Sequence, residues 1–161
     1  MPSSLRRAKH EHVTNAELAD RLAIRELFDA YAHCADRRDA EGQMSLFTED
    51  TEFVVFMDGG TAASSQTIKG REGLRPVFEN LTAYAATTHF NGQSTVVLEG
   101  NSATGILYCL AHHVKVDGDK RSLMVASIRY LDRFVKLDGR WLFAQRKLMV
   151  DWIDNRPMAA G

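Results

Sequence analysis

The stretch VVLEGNSATGILYCLAHHVKVDGDKRSLMVASIRYLDRFVKLDGRW, residues 96–141, decides the fold of this chain. Three turn signals, Gly100-Asn101, Asp117-Gly118 and Asp138-Gly139, cut it into long runs rich in β-branched and aromatic residues. Such dipeptides supply the positive φ that tight hairpins need, and the runs between them suit a pleated, half-buried surface. Followed outward in both directions, the pattern predicts four consecutive antiparallel strands: His89 to Leu98, Ala103 to Val116, Leu123 to Leu137 and Arg140 to Trp152.

Upstream the period changes. Thr14-x-x-Glu17 has capping-box spacing, and Leu18, Leu22, Ile24, Leu27, Phe28, Tyr31 and Ala35 then recur close to the helical repeat. After the polar break at 36–39, Met44, Leu46 and Phe47 predict a second short helix with Asp39 as its N-cap. TEFVVFM at 51–57 reads as a strand and 59–66 as a mobile loop; 71–86 reads as a third helix, in which Pro76 is tolerable only near the first turn. Helix, helix, strand, helix and a four-strand meander make an α+β chain, one domain over 14–161 behind an aperiodic tail at 1–13. Strands of this length twist strongly, so the expected shape is a cone-shaped barrel, a curled, mostly antiparallel sheet around the N-terminal helices. Its open mouth would be an apolar pocket for a small molecule.

Composition narrows the partners. At 161 residues, 45% hydrophobic and 25% charged, the chain is ordinary for one globular core. A net charge of -1 provides no field for gathering polyanions, so nucleic acid is not expected. No apolar run approaches the ~18 residues a membrane span needs, and the start lacks a signal-like apolar segment, so a cytoplasmic protein is expected. Cys34 and Cys109 stand apart without metal or redox spacing and read as reduced, small apolar residues. Apolar residues on the outer sheet face, around Trp141 and Trp152, predict a homo-oligomer, dimer or trimer.

The residues that could carry chemistry are few. His89 opens the first strand of the meander, where it is a packed residue, a metal ligand or a proton-transfer group. Asp36, an acid in the last turn of a helix, faces the negative end of the macrodipole at a cost of about 0.3–1 kcal/mol, which hints at a tertiary partner. His112 and His113 must point to opposite faces of their strand, and Leu107, Cys109 and Ala111 share the face of His113, which favours its looking inward. Histidines at ligand spacing occur only in His10-Glu11-His12 of the tail, so no metal is expected. Arg129, Asp132 and Arg133 read as an exposed ladder of ion pairs, while Ile128 and Tyr130 face away from Arg129.

Three segments, IRELFDAYAHCADRRDAEGQMSLFTEDTEF (24–53), TTHFNGQ (87–93) and DGRWLFAQR (138–146), together resemble the SnoaL-like branch of the nuclear-transport-factor-2-like superfamily. The likeness spans nearly the whole chain; within that branch it is nearest to the scytalone dehydratases, with lindane dehydrochlorinase and the polyketide cyclases more distant. It implies a cone-shaped barrel, usually oligomeric, whose cavity performs eliminations, isomerisations, cyclisations or hydrolyses, or only binds. The family pattern has an aspartate after the first helix and a histidine opening the strand after the third, positions occupied by Asp36 and His89, and a second pocket histidine that falls at His113. By that resemblance His89 removes a proton, Asp36 orients it and His113 donates to the departing hydroxyl or halide. Tyr130 would offer a hydroxyl to a carbonyl, and Phe53, Phe56, Phe90 and Tyr31 would complete the substrate-binding wall, with no cofactor needed. Two tyrosines of the scytalone pattern are absent, at Ala35 and about Val55, which weakens the case for scytalone itself as substrate. The leading expectation is a lyase or isomerase acting on a small apolar cyclic compound. The alternatives are a noncatalytic binding or assembly module, like the small subunits of ring-hydroxylating dioxygenases, and a polyketide cyclase.

Overall fold

A computed structural model describes residues 13–60 and 63–159. Helix α1 (Asn15–Arg37) starts at the expected capping box: Glu17 N–H donates to Thr14 Oγ1 at 3.2 Å, and Thr14 N–H donates to the Glu17 carboxylate at 3.0 Å. Its buried residues Ile24, Leu27, Phe28, Tyr31 and Ala35 recur at three and four, one stripe facing the sheet. Helix α2 (Ala40–Met44) is capped by Asp39, whose carboxylate accepts from Gly42 N–H at 2.8 Å. A Cβ at Gly42 would sit 2.2 Å from that carboxylate, so the cap itself demands glycine.

The strands are β1 (Phe47–Phe56), β2 (Gln66–Lys69), β3 (Ala86–Glu99), β4 (Ser102–Asp117), β5 (Lys120–Leu137) and β6 (Arg140–Pro157), in the order β2-β1-β6-β5-β4-β3. The meander β3 to β6 is antiparallel throughout; β1 joins β6 in parallel and β2 pairs antiparallel to β1. The helices pack inside a curled mixed sheet, and a cluster of Phe28, Tyr31, Phe47, Phe53, Phe78, Phe134 and Phe143 fills the space between. β3 is an edge strand, and α1 covers that edge: Arg21 and Arg25 donate to the carbonyls of Val96 and Gly92 at 2.8 and 3.3 Å.

Several expectations need correction. Phe47 faces inward as expected, but from the start of β1 rather than from the second helix, and β2 begins at Gln66, the last residue of the stretch read as loop. The third helix is three short pieces, a 3-10 turn at Arg71–Leu74, α3 (Arg75–Glu79) and a second 3-10 turn at Asn80–Ala83. Pro76 has no N–H to offer Glu72, which prevents one continuous α-helix. Trp141 is not on the outer face: it is 4% exposed, and its indole N–H donates to Asp20 at 2.8 Å. The tail, apart from the exposed Val13, lies outside the described residues, and with it His10 and His12. Among the described residues no helix is long and apolar enough to cross a membrane.

Candidate active site

Packing α1 along the free edge of β3 brings Asp36, in the last turn of the helix, against His89. Edge strands leave every second N–H without a strand partner, and the Asp36 carboxylate takes this one: His89 N–H donates to its two oxygens at 3.1 and 3.0 Å. The Thr87 hydroxyl donates to Oδ1 at 3.2 Å, and His89 Nδ1 lies 2.7 Å from the same oxygen. Four donor contacts answer the unfavourable placement of an acid at a helix C-terminus. The chemical consequence concerns the tautomer. A carboxylate can only accept, so Nδ1 carries the hydrogen and the lone pair of a neutral His89 is left on Nε2. The imidazole side chain is 8% exposed and the carboxylate 27%. Their outer side borders a cleft of about 290 Å³ between α1 and β3, lined also by Arg25, Asp29, His33 and Asn91.

β4 supplies the second histidine. Thr87 pairs with His113 and His89 with Ala111, so both imidazoles emerge on the inner face, with ring centroids 5.5 Å apart and planes at 83°. His113 also packs on Tyr84 at 4.7 Å. It is 8% exposed, and its Nδ1 has no hydrogen-bond partner among the described residues. Burial first, and then the positive charge that His89 can carry, push its pKa down to about 4. At neutral pH it is therefore an uncharged imidazole, able to offer one N–H without competing for the proton on His89.

The remaining expected residues separate into two groups. Tyr31, Tyr130 and Phe53 are buried deep in the core at 6%, 2% and 1% exposure, and Tyr31 and Tyr130 stack edge-on at 5.8 Å. Phe56 is half-buried at the end of β1. Phe90 is 67% exposed, because the residue after an inward His89 projects to the other side of the pleat, and from there it borders the cleft beside Asp36 and His89. Cys109 shares the inner face, and burial pushes its thiol up to about 12, which removes it as a nucleophile. No group of three or more metal-ligating side chains occurs among the described residues.

Sequence reasoning missed Arg146 and misread Asp132. Far from an exposed ladder, Asp132 makes a two-pronged ion pair with Arg146, 2.8 Å on each arm, both side chains fully buried. The guanidinium is boxed by the rings of Tyr31, Tyr130 and Phe143 at 4.2, 3.9 and 4.1 Å from their centroids. Burial opposes the Arg146 charge, but Asp132 and the tyrosines more than offset it, so its pKa rises above the ordinary value. Its Nη1 lacks a partner among the described residues. The register explains the miss. Phe134 pairs with Phe143 but Asp132 with Arg146, so β6 carries an extra residue between them. That bulge shifts the inward phase from odd to even positions, turning Arg146 rather than Gln145 to the inside.

With this geometry in view, comparison with known proteins is informative. Residues 16–147 match the model of the SnoaL-like domain, and the chain belongs to that family. An uncharacterised protein of Mycobacterium tuberculosis is 28% identical over 131 residues, 81% of this chain and 85% of that protein. A Novosphingobium aromaticivorans structure, named as a candidate scytalone dehydratase, superposes with a TM-score of 0.74 at 23% identity, covering 91% of this chain and 94% of the other. The hexachlorocyclohexane dehydrochlorinase of Novosphingobium barchaimii gives 0.68 at 23% identity, over 89% and 93%. At these identities the two structures establish the shared fold.

Proposed function

We propose that this SnoaL-like chain is a lyase that eliminates water or a halide from a small, largely apolar cyclic compound, using His89 as general base and requiring no cofactor. The observation that carries the reading is the 2.7 Å contact between Asp36 and His89 Nδ1, with the buried, neutral His113 ring 5.5 Å away. Nε2 of His89 takes a proton from carbon, the C–H electron pair becomes the new double bond, and the neighbouring C–X bond breaks, X leaving as halide or as a hydroxyl that takes the proton back from the His89 imidazolium and departs as water. The carboxylate of Asp36 holds the ring and stabilises the imidazolium that forms, as in hydrolase triads. His113 donates to X. The activities named for the two structural relatives, a dehydratase and a dehydrochlorinase, are both of this class. An assembly module has no need of a histidine whose tautomer is set by a carboxylate, and the short contact favours the acid–base enzyme over it.

The outer face, where Phe90, Leu110 and Trp152 stand exposed along one register row, is the surface on which a second copy of the chain would dock. Sedimentation of wild type against Trp152→Glu checks that part.

The function is tested by incubating the purified protein with a panel of cyclic β-hydroxy ketones and polychlorinated cyclohexanes, following halide or water loss and the new double bond. The reading expects turnover of at least one compound, lowered about 10²- to 10⁴-fold by His89→Gln, the usual worth of a general base. Turnover that survives His89→Gln at full rate overturns it.

A further inference from the structure

Arg38 occupies the C-cap of α1 with φ 58 and ψ 34, left-handed backbone in which glycine is the default residue. Among the described residues, the other non-glycine with positive φ is Asp138, in a hairpin turn. An arginine gains nothing there from its backbone, so its side chain must account for its presence. Its Nη1 donates to the carbonyl of Asp36 at 3.0 Å, and its Nη2 donates to the carbonyl of Tyr84 at 2.8 Å. One planar fork thus ties the helix end that carries Asp36 to the residue that leads into β3 and packs on His113. These two segments, 46 residues apart in sequence, meet beside both histidines.

We propose that Arg38 is a positioning residue for the acid–base site: its guanidinium fixes the Asp36 main chain relative to Tyr84, and so sets how the Asp36 carboxylate meets His89 and how the Tyr84 ring packs on His113. The inference rests on the proposed elimination chemistry for its purpose, though its geometry stands alone. The fork suits this task because a rigid guanidinium satisfies two carbonyls in fixed directions, whereas a lysine ammonium is a single point on a flexible stem. The positive charge also sits at the negative end of the α1 dipole, partly offsetting the acid placed there.

The test uses Arg38→Gly and Arg38→Lys in the full chain, with thermal unfolding and ¹⁵N-histidine NMR as readouts. Glycine relieves the left-handed backbone and removes the fork, so Arg38→Gly should unfold cooperatively at a Tm no more than a few degrees from wild type. Its His89 Nδ1–H resonance should broaden or vanish, and the His113 pKa should move up toward the ordinary value near 6.5. Arg38→Lys, which keeps the charge and the backbone, should show the same loss in weaker form. Wild-type histidine spectra and titrations in both variants overturn the proposal, as does restoration of the spectra by lysine to the wild-type pattern. If wild type itself shows no Nδ1–H on His89, the elimination reading fails and not the clamp; the Tyr84 amide shifts of the variants then decide the clamp, unchanged shifts counting against it.

Discussion

Replacing Asp36 with asparagine, compared with His89→Gln, separates a catalytic pair from a structural edge cap. The Asp36 carboxylate accepts from the His89 N–H, the Thr87 hydroxyl and His89 Nδ1. An amide of the same shape keeps one acceptor oxygen, so one or two charge-assisted bonds are lost and an N–H is brought against another donor. At about 1–3 kcal/mol for this loss, and roughly 2–4 °C per kcal/mol for a domain of this size, Tm should fall by about 2–12 °C. The chemical loss is larger. Asparagine's NH₂ group can donate to Nδ1, which moves the imidazole hydrogen to Nε2 and hides the lone pair the reaction needs. The same exchange in a serine-protease triad costs about 10⁴ in rate, about 5.5 kcal/mol at 1.36 kcal/mol per tenfold. His89→Gln, by contrast, leaves the His89 backbone bond to Asp36 intact and should cost little stability. If Asp36 only seals the edge of β3, Asp36→Asn lowers Tm while turnover per folded molecule is unchanged and His89→Gln is silent in both assays. That pair of results would refute the catalytic reasoning.

Other expectations follow from the buried groups. His113 binds its proton less readily folded, at about 4 against 6.5 unfolded, so the unfolded chain takes up more protons between those values. Its contribution to stability is present above pH 6.5 and is lost as pH falls toward 4, by at most about 3 kcal/mol. Urea unfolding of wild type and His113→Phe between pH 4 and 7 should show that the variant has the smaller acid loss. Breaking the Asp132–Arg146 pair with Asp132→Asn or Arg146→Met should cost about 3–5 kcal/mol in urea unfolding, because each leaves one buried group unanswered. Asp132→Leu combined with Arg146→Met should recover most of that, whereas additive single losses would mean that ring packing on the guanidinium, not charge, dominates.

How much of this the sequence discloses depends on how local the cause is. The α1 cap, the Asp39 cap and the three hairpin turns are written in adjacent residues, and each forms where its pattern predicts. Alternation along β4 correctly sends His113 inward and leaves Tyr108 and Leu110 exposed. The dyad is legible through the likeness carried by Asp36 and His89, and the helix-dipole cost at Asp36 anticipates its partner without identifying it. What fails is anything that turns on register. Alternation is a safe guide only while no residue is inserted, and the bulge before Gln145 reverses the phase of β6, so nothing in the local pattern marks Arg146 as inward. Asp132 sits two residues from the inward Tyr130 and could have been read as buried from that spacing alone. Its charge argued otherwise because the cation that justifies burying it was out of sight.

The central claim, that Asp36 leaves the His89 lone pair on Nε2 for a substrate proton, is tested most directly by the ¹⁵N spectrum of histidine-labelled protein at pH 8. The account predicts that neutral His89 carries its hydrogen on Nδ1, with Nε2 unprotonated, and that this preference disappears in Asp36→Asn. A wild-type His89 with its hydrogen on Nε2 would contradict it, because the base would then have no lone pair facing the substrate.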